Sequence, residues 1–405
     1  MVKWFARGGQ RQLEIWNRLR FSTITKKRQR IIALDILRGI FLVALIVNHM
    51  PWTPSLYSFV TGRSELFASA AEGFFVVSGM LVGYIYGQKI IGSPRNTVKH
   101  IWKRALVLYL ISVGGTLVYT LIALNLPQNY VGIPPWSGST LSYFINTFTL
   151  RYGFGWTDFL NRYAVFMACA PLALWLVAKG RAWIVLGLSF AIWLVLGHNP
   201  YLLPFSAWQM IFMWGLVIGY YLPAIEGRGL KLSAQRRDLL FRSIVLVGLG
   251  TYLISIWWAV VLPFVAASLT HPPLWLSEIE QLRINLMTSW FSKTSLGIGR
   301  LLVGTLWITS LYILIRVVED KLVYWKLGKF LEYLGRHSLF VYVTHGILIV
   351  LVNLLLPPPV GYRNVLLATL VVSLVLWIVY QLTLRRDIFD RTVSRTRDRI
   401  NREDF

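Results

Sequence analysis

The feature that most constrains this chain is a series of apolar blocks, each roughly 20 residues long, running from about residue 31 to residue 384. A bilayer core offers no water to backbone N–H and C=O groups, so a crossing segment must be a helix or a strand of a closed barrel. Barrel strands are about half this length and alternate in polarity, and these blocks do neither. Only 14% of the 405 residues are charged and mean hydropathy is +0.57, whereas a soluble domain carries about 25% charged residues. The expected fold is therefore all-α, a polytopic integral membrane bundle of about ten transmembrane helices. They fall near 31–52, 66–88, 105–126, 161–178, 183–198, 207–225, 242–264, 297–316, 335–356 and 364–384.

The net charge of +24 raises nucleic acid as a partner, but the basic residues sit between the apolar blocks, where the positive-inside rule puts them. With the N-terminus inside and strict alternation, inside segments hold 33 of the 41 Lys and Arg and outside segments hold seven. That split predicts cytoplasmic N- and C-termini and argues against nucleic acid. The chain divides into a basic segment 1–30, a membrane domain 31–384 and a basic tail 385–405, both basic ends suited to anionic headgroups of the inner leaflet. No cleavage site follows the first block, which reads as an uncleaved helix. Cys169 stands alone, and no metal-ligand cluster is visible. The outer loops 127–160 and 265–296 are rich in Trp, Tyr, Pro and Leu, which predicts interfacial helices over the outer face.

Charges within a membrane helix cost at least ~2.5 kcal/mol near the bilayer centre, so they tend to mark function. The first helix, RIIALDILRGIFLVALIVNHM, carries Asp35, Arg38 and His49. Asp35 and Arg38 are spaced to pair on one face. His49 follows Arg38 by eleven residues, close to three turns and about 16 Å of rise, so Arg38 lies toward the cytoplasm and His49 toward the outside on one stripe. The second helix carries Glu72, expected near the depth of His49, where a carboxylate would orient an imidazole. Gly79, Gly83 and Gly87 form a small-residue stripe that admits a close helix neighbour. His345 lies mid-way along the ninth helix with Tyr342 one turn away, and a histidine at that depth needs a polar partner or an aqueous cavity.

At these residues the chain resembles a known family. Arg38, ten residues and His49, the stretch FFVVSG, and GRHSLFVYVTH ending at His345 are similar to the signatures of the membrane acyltransferase-3 superfamily. AAEGFFVVSGMLVGYIYG, WTDFLNRYAVFM, AWQMIFMWGLVIG and FSKTSLGIGRLL resemble more closely the OpgC family, named for succinylation of osmoregulated periplasmic glucans. Where the superfamily often has a doubled arginine at the start of the third helix, this chain reads KHIWKRALVLY, leaving Lys103 and Arg104 in that place. The resemblance spans about residues 30–384 and implies a multi-pass protein of the bacterial inner membrane. It would move an acyl group, succinyl in the family's name, from cytoplasmic acyl-CoA to a hydroxyl of a periplasmic glycan, with no bound cofactor.

On that reading Arg38, Lys103, Arg104 and Arg336 face the phosphates of the donor. His49 is the general base on the acceptor hydroxyl, or the acyl carrier, oriented by Glu72. Asp158, Gln209 and Arg300 ring the acceptor side, and His345, Tyr342 and Asp35 are candidates for the acyl path. Two rivals remain open: a transporter or flippase for a lipid or glycan, which would favour internal repeats, and a non-catalytic membrane subunit. A transferase predicts a cavity joining Arg38 to His49; dry packing around them favours the subunit.

Overall fold

The computed structural model describes residues 31–125, 136–197, 199, 202–271, 273–356 and 364–403. The basic segment 1–30 and part of the first outer loop lie outside them. The described residues form helices and no strand. We label them α1 (Ile32–His49), α2 (Leu56–Thr61), α3 (Ala70–Tyr86), α4 (Pro94–Asn125), α5 (Thr140–Phe148), α6 (Asp158–Ala178) and α7 (Ala182–Leu196). There follow α8 (Leu203–Lys231), α9 (Ala234–Ile256), α10 (Leu274–Thr288), α11 (Ile298–Leu322), α12 (Lys326–Arg336), α13 (Ser338–Leu355) and α14 (Val365–Glu403).

Eight of the described helices are long and apolar enough to cross a membrane. Two others, α3 and α7, are apolar but shorter, at 17 and 15 residues, and stand where the second and fifth spans were expected. α3 and α8 run parallel in close contact, whereas α4 and α6 run antiparallel, Trp102 reaching Ala168 while Ser112 reaches Thr157.

Local sequence explains most boundaries. α1 stops at His49, just ahead of Met50 and Pro51, because a residue before proline is driven out of the helical region. Ser69 caps α3 in a capping box with Glu72, which satisfies two otherwise orphaned donors. Beyond α9 the helix widens to a π stretch at Trp257–Val261 and continues as Leu262–Ser268; Pro263 lacks an N–H and its ring crowds the carbonyl of Ala259. The described residues of the expected loops 127–160 and 265–296 contain the helices α5 and α10.

Two features depart from expectation. The last helix does not end near 384 but runs to Glu403; the basic tail has no Gly or Pro and mixes Asp with Arg, so nothing stops the helix. The segment before the ninth span, expected as a cytoplasmic loop, holds the helix α12. Its Leu327, Phe330, Leu331 and Leu334 recur at helical spacing.

Glycines set the closest approaches. A Cβ on Gly79 or Gly83 would lie 2.1 or 1.9 Å from the carbonyl oxygens of Phe212 and Leu216, and one on Gly215 or Gly219 would lie 2.3 or 1.9 Å from those of Val76 and Met80. The α3 stripe therefore meets a reciprocal stripe on α8, the close neighbour that small residues allow. α1 and α12 touch in the same way, Gly39 against the Leu331 carbonyl and Gly335 against that of Asp35. α1 is thereby held in the centre, with Leu34, Leu37, Leu42 and Ile46 nearly inaccessible.

Candidate functional site

The corner between α12 and α13 fixes the Arg38 half of the site. Gly335 admits the backbone of Asp35, and the next residues bring Ser338 to Arg38, whose guanidinium donates to the Ser338 hydroxyl. Arg38 is buried, its guanidinium carbon 5.2 Å from the centroid of Phe74, a cation–π contact strengthened by desolvation. Asp35, one turn earlier, is buried as well. Tyr163 of α6 stands within electrostatic range of both Arg38 and Arg104, and Arg104 also faces Tyr86. Arg38 and Arg104 thus converge on one tyrosine. Lys103 is exposed. Arg336 is partly exposed, 3.7 Å from Glu332 and stacked on Tyr333.

The other half is built on a histidine pair. His49 Nδ1 and His345 Nε2 are 2.9 Å apart, with ring centroids 5.1 Å apart and planes 20° from parallel. His345 is buried and its Nδ1 bonds the backbone carbonyl of Tyr342. A carbonyl only accepts, so that Nδ1 carries the hydrogen. Neutral His345 then offers Nε2 as an acceptor, and the His49 Nδ1–H donates to it. What remains is the Nε2 of half-buried His49, a lone pair with its tautomer fixed by a second imidazole. Two contacts of α13, Ser338 with Arg38 and His345 with His49, account for the spacing of GRHSLFVYVTH.

Glu72 is the main departure. It was expected to orient His49; instead its Oε1 lies 3.3 Å from Arg300 Nε, an ion contact without hydrogen-bond alignment, while Oε2 accepts from the Ser69 backbone and hydroxyl. The next residue, Gly73, packs on the ring of Phe41, well below His49 on α1. The capping box holds the carboxylate at the start of α3, and Arg300, 1% exposed and also donating to the Leu66 carbonyl, neutralises it there. Of the expected acceptor-side residues, Asp158 pairs with Arg162, whose guanidinium lies 5.0 Å from the Trp208 ring centroid. Gln209 donates to the Ser189 and Ser206 carbonyls at 2.7 and 3.1 Å, tying α8 to α7. Lys293, not anticipated, lies within electrostatic range of His49, Glu72, Arg300 and Asp158. Loss of surrounding water pushes its pKa down, against the pull of Glu72.

Between the two halves stands a column of rings. Arg38 contacts Phe74; Phe74 and Phe159 have centroids 5.1 Å apart, Phe159 and Tyr342 5.3 Å, and Tyr342 and His345 5.0 Å. The Tyr342 hydroxyl is buried in this column with no hydrogen-bond partner. Two cavities of about 560 and 520 Å³ lie on either side of α11, the second with Glu72 in its wall, and neither is lined by Arg38 or His49. They are not the joining cavity that the transferase reading expected; the aromatic column occupies the direct route, the packing that the subunit reading expected.

Tyr163, Lys293, Ser338 and the column's Phe74 and Phe159 were missed in the sequence, unlike Tyr342, because each looks like ordinary helix or loop composition until packing brings it into the site. Comparison with curated proteins finds no match. The model of the OpgC protein family matches residues 30–387, the stretch that holds every residue of the column and of both halves of the site, and this membrane protein belongs to the OpgC family.

Proposed function

We propose that this protein is an O-acyltransferase of the bacterial plasma membrane, with ten spans and both termini cytoplasmic, that moves an acyl group from cytoplasmic acyl-CoA to a hydroxyl of an extracytoplasmic glycan. Succinyl is the acyl group that the family resemblance implies. The observation that carries the reading is the His49–His345 couple, which leaves the His49 Nε2 as a base in a site whose other end holds Arg38. In the transfer, the acceptor hydroxyl gives its proton to His49 Nε2 as its oxygen attacks the thioester carbonyl. The C–S bond breaks, and His49 returns the proton to the departing CoA thiolate. Arg38, with Arg104 beside the shared Tyr163, binds a phosphate of the donor, a task for which a guanidinium fork is suited. Phe74, Phe159 and Tyr342 turn aside for the acyl group to pass, and in the resting state they keep the two compartments sealed.

Mass spectrometry of envelope glycans from cells with and without the protein tests this. Loss of one acyl mass from a glycan, and the same loss in cells carrying folded His49→Ala, is the expected result. An unchanged glycan profile in the null cells, or full activity of His49→Ala, overturns the assignment.

A further inference from the structure

A second built feature lies away from this site. α8 packs on α3, α6 and α7, while α9 and α11 pack on each other and α11 on α1. The cavity of about 560 Å³ fills the space between α8 and the α9–α11 pair. Its walls are apolar for most of their length, with Met210, Ile218 and Leu222 from α8 and Ile308 from α11. At one end, by the α8–α9 turn, the lining becomes charged. Arg237 is buried there, and Glu226 accepts a 2.6 Å bond from the Tyr312 hydroxyl and faces Arg316 Nε at 3.5 Å. The turn is strongly basic: residues 226–242 hold Arg228, Lys231, Arg236, Arg237 and Arg242 against Glu226 and Asp238.

An apolar slot between membrane helices that ends in buried arginine and a basic turn fits an amphiphile with an anionic head. We propose that this cavity is a binding site for an anionic phospholipid, one acyl chain between α8 and α11 and the phosphate against Arg237. Glu226 does not oppose the phosphate, since Tyr312 and Arg316 already engage it. The size is that of an ordinary ligand cavity. The site is independent of the acyl-transfer reading, because neither Arg38 nor His49 touches it.

Gly229 lines the cavity, and a Cβ there would meet nothing within 4 Å, so a side chain can start at that position without a clash at its first atom. The full-length protein, purified in mild detergent, is offered equal phosphatidylglycerol and phosphatidylcholine and weighed by native mass spectrometry. Wild type is expected to retain one phosphatidylglycerol in preference. Gly229→Phe and Ile218→Trp, two separate ways of filling the slot, are expected to lose it. Arg237→Gln should bind with the preference for phosphatidylglycerol reduced about tenfold, the scale of one charge-assisted contact. Equal retention of the two lipids by wild type, or undiminished phosphatidylglycerol on either folded slot-filling variant, overturns the proposal.

Discussion

If His345 sets the tautomer of His49, replacing it should slow transfer by a calculable amount. In the resting state the bond between His49 Nδ1–H and His345 Nε2, 2.9 Å long, joins two neutral rings and nets about 1 kcal/mol. When His49 takes the acceptor proton it becomes an imidazolium and the same bond joins a charged donor, worth about 1.5–3 kcal/mol. The difference, about 0.5–2 kcal/mol, is gained only in the transition state, so His345→Phe should lower kcat by about 2- to 30-fold. Losing the fixed tautomer adds to this, and the orphaned Nδ1–H costs about 1–3 kcal/mol of stability. The assay is release of CoA thiol by protein in proteoliposomes, with acyl-CoA and a glucan acceptor. KM for acyl-CoA should hold, because Arg38 and Arg104 are untouched. His345→Gln, whose side-chain oxygen also accepts, should recover most of the rate. Full kcat in folded His345→Phe, or a glutamine variant as slow as the phenylalanine one, refutes the argument.

Further substitutions probe the remaining parts. Arg38→Lys keeps the charge but loses the fork that reaches Ser338, and KM for acyl-CoA should rise markedly; a mild change would mean that a point charge suffices. Tyr342→Phe removes a buried hydroxyl without a partner, so thermal unfolding should be unchanged or later by up to about 1 kcal/mol, while CoA release should fall if that hydroxyl contacts the passing acyl group. Glu72→Gln leaves the buried Arg300 charge uncompensated and should cost about 3–5 kcal/mol in detergent unfolding, with the double variant Glu72→Gln/Arg300→Met recovering part of it; equal losses in single and double variants would deny the coupling. Gly83→Ala places a Cβ 1.9 Å from the Leu216 carbonyl and should destabilise by about 1–3 kcal/mol, whereas Gly114→Ala meets open space and should be neutral or gain up to about 1 kcal/mol.

The sequence alone carried the class of fold, because apolar blocks that must satisfy their own backbone in lipid leave few alternatives. It also carried what depends on a single helix: Arg38 and His49 on one stripe of α1, and the close-packing glycines of α3. Both follow from a fixed rise and pitch. The tertiary structure decided everything that depends on how helices meet. His49 finds its partner across 296 residues, at His345 and not at Glu72, since the capping box commits Glu72 to the first turn of α3 and Arg300 neutralises it there. Arg104 joins Arg38 while its neighbour Lys103 turns outward, because adjacent residues on a helix point some 100° apart. The aromatic column and the slot beside α8 arise from side chains of several helices, each apolar and unexceptional in its own segment. Periodicity says which face of a helix is polar, but only packing says what that face touches.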